Sequence, residues 1–174
     1  MRVIAGKARG CKLVAPIGMA TRPTGNRLKE DLFNILMPRI ENAAFLDLYC
    51  GSGQIGIEAL SRGAESATFV DNSDDAIKSV HTNMQKVKLQ TYATIIKADV
   101  LAFLQGLADE RFDIIFADPP YASLELLPCI RLALNKLTPT GLFVAEAPID
   151  MDFSDFTPHR QKRYKTTQFV FLKI

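Results

Sequence analysis

Histidine and cysteine are scarce in this chain, and each scarcity removes a class of chemistry. Only His81 and His159 are present, neither in a ligand-spaced cluster, so no bound metal is expected. Neither stands near Ser52 or Ser61, which leaves a hydrolase triad without support. The three cysteines, Cys11, Cys50 and Cys129, are odd in number and far apart, with no CxxC pair. That spacing fits reduced thiols in a cytoplasmic protein and not a disulfide framework. Long apolar runs are missing as well. None approaches the length of a membrane span, and Met1 to Lys7 holds no stretch like a signal peptide. A Walker-type phosphate loop, internal repeats and low-complexity linkers are likewise absent.

What remains is an ordinary globular composition, 48% hydrophobic and 23% charged over 174 residues, enough for one domain with a real core. The net charge of +2 hides an asymmetry. Residues 1–39 carry eight Lys/Arg (Arg2, Lys7, Arg9, Lys12, Arg22, Arg27, Lys29, Arg39) against Glu30 and Asp31, a net of +6. The rest holds 13 Lys/Arg and 17 Asp/Glu, a net of −4. A basic arm on an acidic body suggests an anionic partner such as nucleic acid, with Arg2, Lys7, Arg9, Lys12, Arg22 and Arg27 as its candidate contacts. Arg160, Lys162, Arg163 and Lys165 could join the same surface.

Strand and helix signals alternate from about residue 44 onward. Strands are expected at 44–48, 66–70, 92–97, 112–117 and 141–145, with a closing strand or hairpin over 164–174. Helices are expected at 53–62, 74–86, 100–104 and 124–137, Pro128 restricting the first turns of the last. This alternation predicts an α/β fold: a mainly parallel sheet with helices on both faces. Residues 1–39 read as an appendage to the core at 40–174, all within one domain. Residues 2–5 and 11–15 suit a hairpin, and 21–25 an irregular loop. Asn26 is expected to cap a helix with Glu30 and Asp31 in its first turn and Pro38 at its end. Leu28, Leu32, Ile35 and Leu36 give that helix a stripe suited to packing on the sheet.

Two motifs carry the chemistry. Asp118-Pro119-Pro120-Tyr121 follows the apolar run 112–117, so it sits at a strand's C-terminal end, where open α/β sheets place their ligands. The prolines stiffen the turn and leave carbonyls free. A carboxylate on one side and an aromatic face on the other suit a planar group bearing an NH₂. The plain alternative is an Asp-Pro turn closing a strand. Gly51-Ser52-Gly53-Gln54-Ile55-Gly56 matches GxGxxG between a strand and a helix, and Asp71 stands twenty residues on, placed to grip ribose hydroxyls. The pair points to an adenosine-containing cofactor. Asp47 would repel a pyrophosphate yet could hold an ammonium, which favours S-adenosylmethionine (SAM) over NAD. Asp99 is placed to meet the adenine amine, or else caps the next helix. Asn72 and Val100, which follow Asp71 and Asp99, are counted with the same site.

Taken together, the motifs resemble a known family. Arg2-Val3-Ile4-Ala5-Gly6-Lys7-Ala8-Arg9-Gly10, Arg22-Pro23-Thr24, Arg27, Leu32-Phe33-Asn34, Leu46-Asp47-Leu48, Gly51-Ser52-Gly53 and the run 56–64 are similar to the RsmD family. The likeness spans nearly the whole chain. It implies a Rossmann-like Class I SAM-dependent methyltransferase with a seven-stranded, mostly parallel sheet plus an N-terminal hairpin and helix. The implied activity is methylation of guanine N2 in 16S ribosomal RNA. The implied partner is that RNA or the small ribosomal subunit; a monomer is the simpler expectation. By position, Asp47, Gly51, Ser52, Gly53, Asp71 and Asp99 would line the SAM site. Asp118, Pro119, Pro120 and Tyr121 would hold the guanine. Arg22, Pro23, Thr24 and Arg27 would close over the cofactor's methionine end or meet the RNA. Tyr49-Cys50 stands where Phe-Ala is usual, Asp71 where Glu is common, and Lys165 near an expected Gly. Amino methylation of DNA adenine or cytosine, or of protein glutamine, stays open from DPPY alone. A dehydrogenase is disfavoured by Asp47 and DPPY, and a non-catalytic RNA-binding protein by the intact constellation.

Overall fold

A computed structural model of the chain describes residues 1–16, 25–109, 111–120 and 124–174. Among them one sheet contains seven strands: β1 (Ala44–Leu48), β2 (Ser66–Asp71), β3 (Ala93–Lys97), β4 (Phe112–Ala117), β5 (Leu137–Pro148), β6 (Arg160–Arg163) and β7 (Thr167–Leu172). The helices are α1 (Asn26–Ile40), α2 (Gln54–Ser61), α3 (Asp74–Val87), α4 (Val100–Gly106) and α5 (Leu126–Leu134). The strand order is β3-β2-β1-β4-β5-β7-β6. The first five strands run parallel, and β7 lies antiparallel between β5 and β6. The chain therefore reverses its winding at β1 and β4, whose carboxyl ends flank the crevice where such sheets bind ligands. This is the mainly parallel α/β sheet the alternation predicts, in the seven-stranded Rossmann-like form the resemblance implies.

Strands buried on both faces read as continuous apolar runs, and these do. Phe45, Phe69, Phe116 and Phe169 point to one side, under Leu32 of α1, Ile55 of α2 and Val80 of α3. Their neighbours Leu46, Val70, Ile115 and Val170 point to the other, under Leu104 of α4 and Ile130 of α5. The stripe of α1 packs against this core as expected, with Leu32, Phe33 and Leu36 fully buried. No helix among the described residues is long and apolar enough to cross a membrane.

Several expectations need correction. Gly25, not Asn26, is the N-cap of α1, its first turn holds no acid, and Pro38 lies inside the helix. Helix α5 stops at Leu134, because Leu137 already begins β5. Strand β5 starts early through an irregularity: Leu137 pairs with Phe112, and the regular register resumes only at Leu142 and Ile114. Pro128, the third residue of α5, falls in the first turn, where its missing N–H costs nothing. The basic cluster at 160–163 is itself the edge strand β6. Its charges hide it from hydropathy, and charge is what an open sheet edge carries to deter other strands.

The N-terminal hairpin is short: Arg2 and Lys12 form a single antiparallel bridge. It is fastened to α2 through a buried carboxylate. Glu58 accepts the N–H groups of Ile4 (2.8 Å) and Ala5 (3.0 Å) and pairs with Lys29 of α1 (3.3 Å) and Arg62 (2.8 Å). Lys29 and Glu58 are both fully buried, and Lys29 also donates to the Arg2 carbonyl at 2.8 Å. Burial pulls the Lys29 pKa below the ordinary lysine range against the pull of Glu58. Farther along the hairpin, the Lys7 N–H meets the Ser61 carbonyl, and Ser61 Oγ donates to the Ala5 carbonyl at 2.6 Å. Gly6, at φ +82°, has no alternative there: a Cβ would stand 1.7 Å from the Ser61 oxygen.

Candidate active site

The loop leaving β1 is a tight, left-handed turn. Tyr49, Gly51 and Gly53 all have positive φ (56°, 53° and 73°), and Gly53 caps α2 in the left-handed region. The glycines differ in what they allow. At Gly51 a Cβ would meet nothing within 4 Å, so the backbone faces open space. At Gly56 a Cβ would lie 2.4 Å from the Phe69 ring, so this glycine lets α2 settle on the sheet.

Three side chains hold the loop. Asp71, at the end of β2, accepts the Gly51 N–H through Oδ2 and the Ser73 N–H through Oδ1, each at 2.9 Å. Asp47 is buried beneath the turn, and its Oδ2 accepts the Gly56 N–H at 2.9 Å. Burial pushes its pKa up to about 8; the Gly56 N–H works against that rise and the Asp71 charge adds to it. Asn83 of α3 donates from Nδ2 to the Ser52 carbonyl at 2.9 Å. Its amide also pairs with the main chain of Val14, accepting from N–H and donating to C=O. Sequence reading missed Asn83, since one amide in an amphipathic helix looks like any surface polar residue.

Asp99 caps α4, its Oδ1 accepting the Ala102 N–H at 2.8 Å, so the capping alternative is realised. Asp99 and Asn72 are exposed, while Val100 is buried. Tyr49 reaches from the glycine turn to the start of α5, donating its hydroxyl to Glu125 at 3.0 Å. Burial raises its pKa beyond the ordinary tyrosine range.

One strand over, Asp118 and Pro119 follow β4 directly. Leu48 of β1 pairs with Ala117, so the glycine turn and Asp118 leave the sheet side by side. Pro119 is buried and Pro120 exposed. The Asp118 carboxylate makes no hydrogen bond with another described residue, which leaves its oxygens able to accept from a bound group. Burial, then the charges of Glu146 and Asp47, hold its pKa well above the ordinary carboxylate range. A cavity of about 240 Å³ opens beside the two prolines, lined by Pro119, Pro120, Glu146 and Met151 among others. Tyr121, with Arg22, Pro23 and Thr24, lies outside the described residues.

The basic residues divide. Lys29 is spent on Glu58, and Arg39 on the Thr140 carbonyl. Arg2, Lys7, Arg9, Lys12 and Arg27 are exposed. Lys7 and Arg9 flank the C-terminal end of α2, away from the glycine turn at its start, whereas Arg27 opens α1. The C-terminal cluster does join α1: Asp31 pairs with Lys162 at 3.2 Å and accepts from the Tyr164 hydroxyl at 3.2 Å. No group of three or more His, Cys, Asp or Glu able to hold a metal occurs among the described residues.

The chain is similar to known proteins over nearly its whole length. A family model described as "Conserved hypothetical protein 95" matches residues 1–173. "Ribosomal RNA small subunit methyltransferase D" of Haemophilus influenzae is 41% identical over 154 residues, covering 86% of this chain and 80% of that one. The protein of the same name from Escherichia coli is 36% identical over 168 residues, covering 93% and 84%. A hypothetical protein of Thermus thermophilus, of known structure, superposes with a TM-score of 0.85 at 29% identity, covering 100% and 99%.

Proposed function

The chain belongs to the family described as conserved hypothetical protein 95, and from that membership we propose that it methylates the exocyclic N2 of a guanine in small-subunit ribosomal RNA, with SAM as donor. The observation that carries the reading is the juxtaposition of the Gly51–Gly53 turn after β1 with Asp118 after β4, whose carboxylate makes no hydrogen bond with another described residue. The turn suits the cofactor: its backbone faces open space at Gly51, and acids stand at the ends of β1 and β2. Gly51, Ser52, Gly53 and Asp71 would hold it, with Asn72, Asp99 and Val100 beside them. When bound, SAM supplies a methyl already activated by its sulfonium charge, so positioning is the protein's main task.

Asp118 and the Pro119 carbonyl accept hydrogen bonds from the guanine amine, whose lone pair is otherwise delocalised into the ring. These acceptors stabilise the positive charge that develops on nitrogen. Tyr121 stacks on the base. A paired guanine does not fit such a pocket, so the target is a loop base or one flipped out. RNA reaches the site across the rim where α1 meets β6, where Arg27 and Lys162 both act on Asp31. Lys7 and Arg9 stand roughly 12 Å away along α2, within the footprint of a folded RNA. The protein acts as a cytoplasmic monomer on the RNA or the assembled small subunit.

Labelled SAM tests the reading against small-subunit rRNA, DNA and protein fractions from cells lacking the gene. Label is expected as N2-methylguanosine at one rRNA position. Label in DNA or protein, or at another atom, overturns it.

The acids add a pH dependence. With its folded pKa near 8 against an ordinary 3.8, Asp47 contributes stability that is complete below the lower value and lost as pH rises through the upper. A bound cation reverses the preference by favouring the ionised form. SAM binding is therefore expected to release protons near neutrality and to tighten between about pH 6 and pH 8. Calorimetry in buffers of different ionisation enthalpy reads both. Flat affinity without proton release would separate Asp47 from the cofactor.

A further inference from the structure

Tyr49 leaves β1 at φ +56°, a left-handed conformation that a glycine enters freely and a tyrosine does not. Residues other than glycine persist there when their surroundings over-determine them, and they cluster at clamps and active sites. The half-buried ring packs into the core layer under α4 and α5. From there its hydroxyl donates to Glu125 at 3.0 Å, across 76 positions of chain. Glu125 is the N-cap of α5 and its carbonyl accepts the Cys129 N–H at 2.8 Å, so holding Glu125 holds the helix's first turn. The neighbours of Glu125, Leu124 and Leu126, line the cavity of about 240 Å³ together with Pro119 and Pro120. The hydroxyl thus ties the turn that carries Gly51 to residues sharing a cavity with the two prolines.

In-line methyl transfer needs the donor carbon and the acceptor nitrogen aligned at about 3–3.5 Å. On the reading above, the donor lies at the turn after β1 and the acceptor at Asp118 and Pro119 after β4. The sheet fixes where the two loops start, since Leu48 pairs with Ala117, but that pairing ends there. Past the last pair, a bond between the loops has to keep their spacing, and the Tyr49–Glu125 hydrogen bond is one. We propose that Tyr49 is a positioning residue for methyl transfer. Through Glu125 it sets the spacing between the cofactor turn and the segment that presents the target base. The inference rests on the proposed function and adds the tie between its two half-sites.

The test uses Tyr49→Phe in the full chain, which keeps the ring and removes only the hydroxyl. Single-turnover transfer to small-subunit rRNA, with SAM and RNA saturating, is expected to fall about tenfold. Affinity for SAM by calorimetry, and for RNA by filter binding, should stay within about twofold of native. Lost spacing slows the step alone, whereas a loosened fold would weaken binding too. Glu125→Ala supplies the second arm. In that background Tyr49→Phe should slow transfer by less than about twofold more, because the partner it acts through is already gone. A native rate in Tyr49→Phe overturns the role. A tenfold loss that recurs in the Glu125→Ala background also overturns it, by placing the hydroxyl's action elsewhere. So does a loss of SAM affinity that matches the loss of rate, which would assign Tyr49 to the cofactor. If the native enzyme moves no methyl to rRNA, the functional reading falls and takes this role with it.

Discussion

Asp118→Ala lowers single-turnover methyl transfer by about two to three orders of magnitude while cofactor affinity and fold persist. The magnitude is that of removing one preorganised group from a site of developing charge. The carboxylate spends no hydrogen bond on another described residue, so its removal breaks no hydrogen bond among them. What is lost is an acceptor placed beside two other acids, where burial and the charges of Glu146 and Asp47 hold its pKa up. In that setting Asp118 gains most when positive charge appears on the substrate nitrogen. Asp118→Asn keeps one acceptor oxygen and is expected to fall between the two. Rapid-quench assays with labelled cofactor measure the step, and calorimetry checks binding. Near-native turnover in the alanine variant would take Asp118 out of the chemistry.

Glu58→Ala is the substitution with the largest expected effect on folding, about 3–5 kcal/mol. Two backbone N–H groups and two cations converge on this carboxylate, and Lys29 is fully buried with it. Truncation strands the ammonium in the core and frees Ile4 and Ala5 at once. Glu58→Gln retains an acceptor and should lose less. Replacing Lys29 and Glu58 together with Met and Leu removes both charges and should recover part of the loss, because a buried pair costs desolvation on each side. Urea unfolding of the variants decides the matter. A single alanine variant within about 1 kcal/mol of the native chain would show that the pair contributes little.

The contrast between these two acids marks what sequence can and cannot disclose. Strands β1 and β4 were legible to the residue because apolar runs ended there at an acid or a glycine turn. Asp118 and the glycine loop were legible for the same reason: their chemistry is local, written in consecutive residues. Glu58 and Glu146 are not local. One sits in a helix and one in a strand, and each gains its meaning from chain about fifty or thirty residues away. A lone acid in the apolar run Leu142–Ala147 was the available signal for Glu146. The shifted α5–β5 boundary had no such marker, since Leu137 suits either element and only its pairing with Phe112 settles it. Strand β6 was hidden because hydropathy rewards burial, and an edge strand is partly wet.

Asn83 ties a further consequence to the architecture. A single side-chain amide grips both the main chain at Val14 and the carbonyl of Ser52. The first sixteen residues are thus a brace for the glycine turn after β1. Proteolytic nicking or a tag that prises them loose is expected to slacken that turn without touching any residue in it.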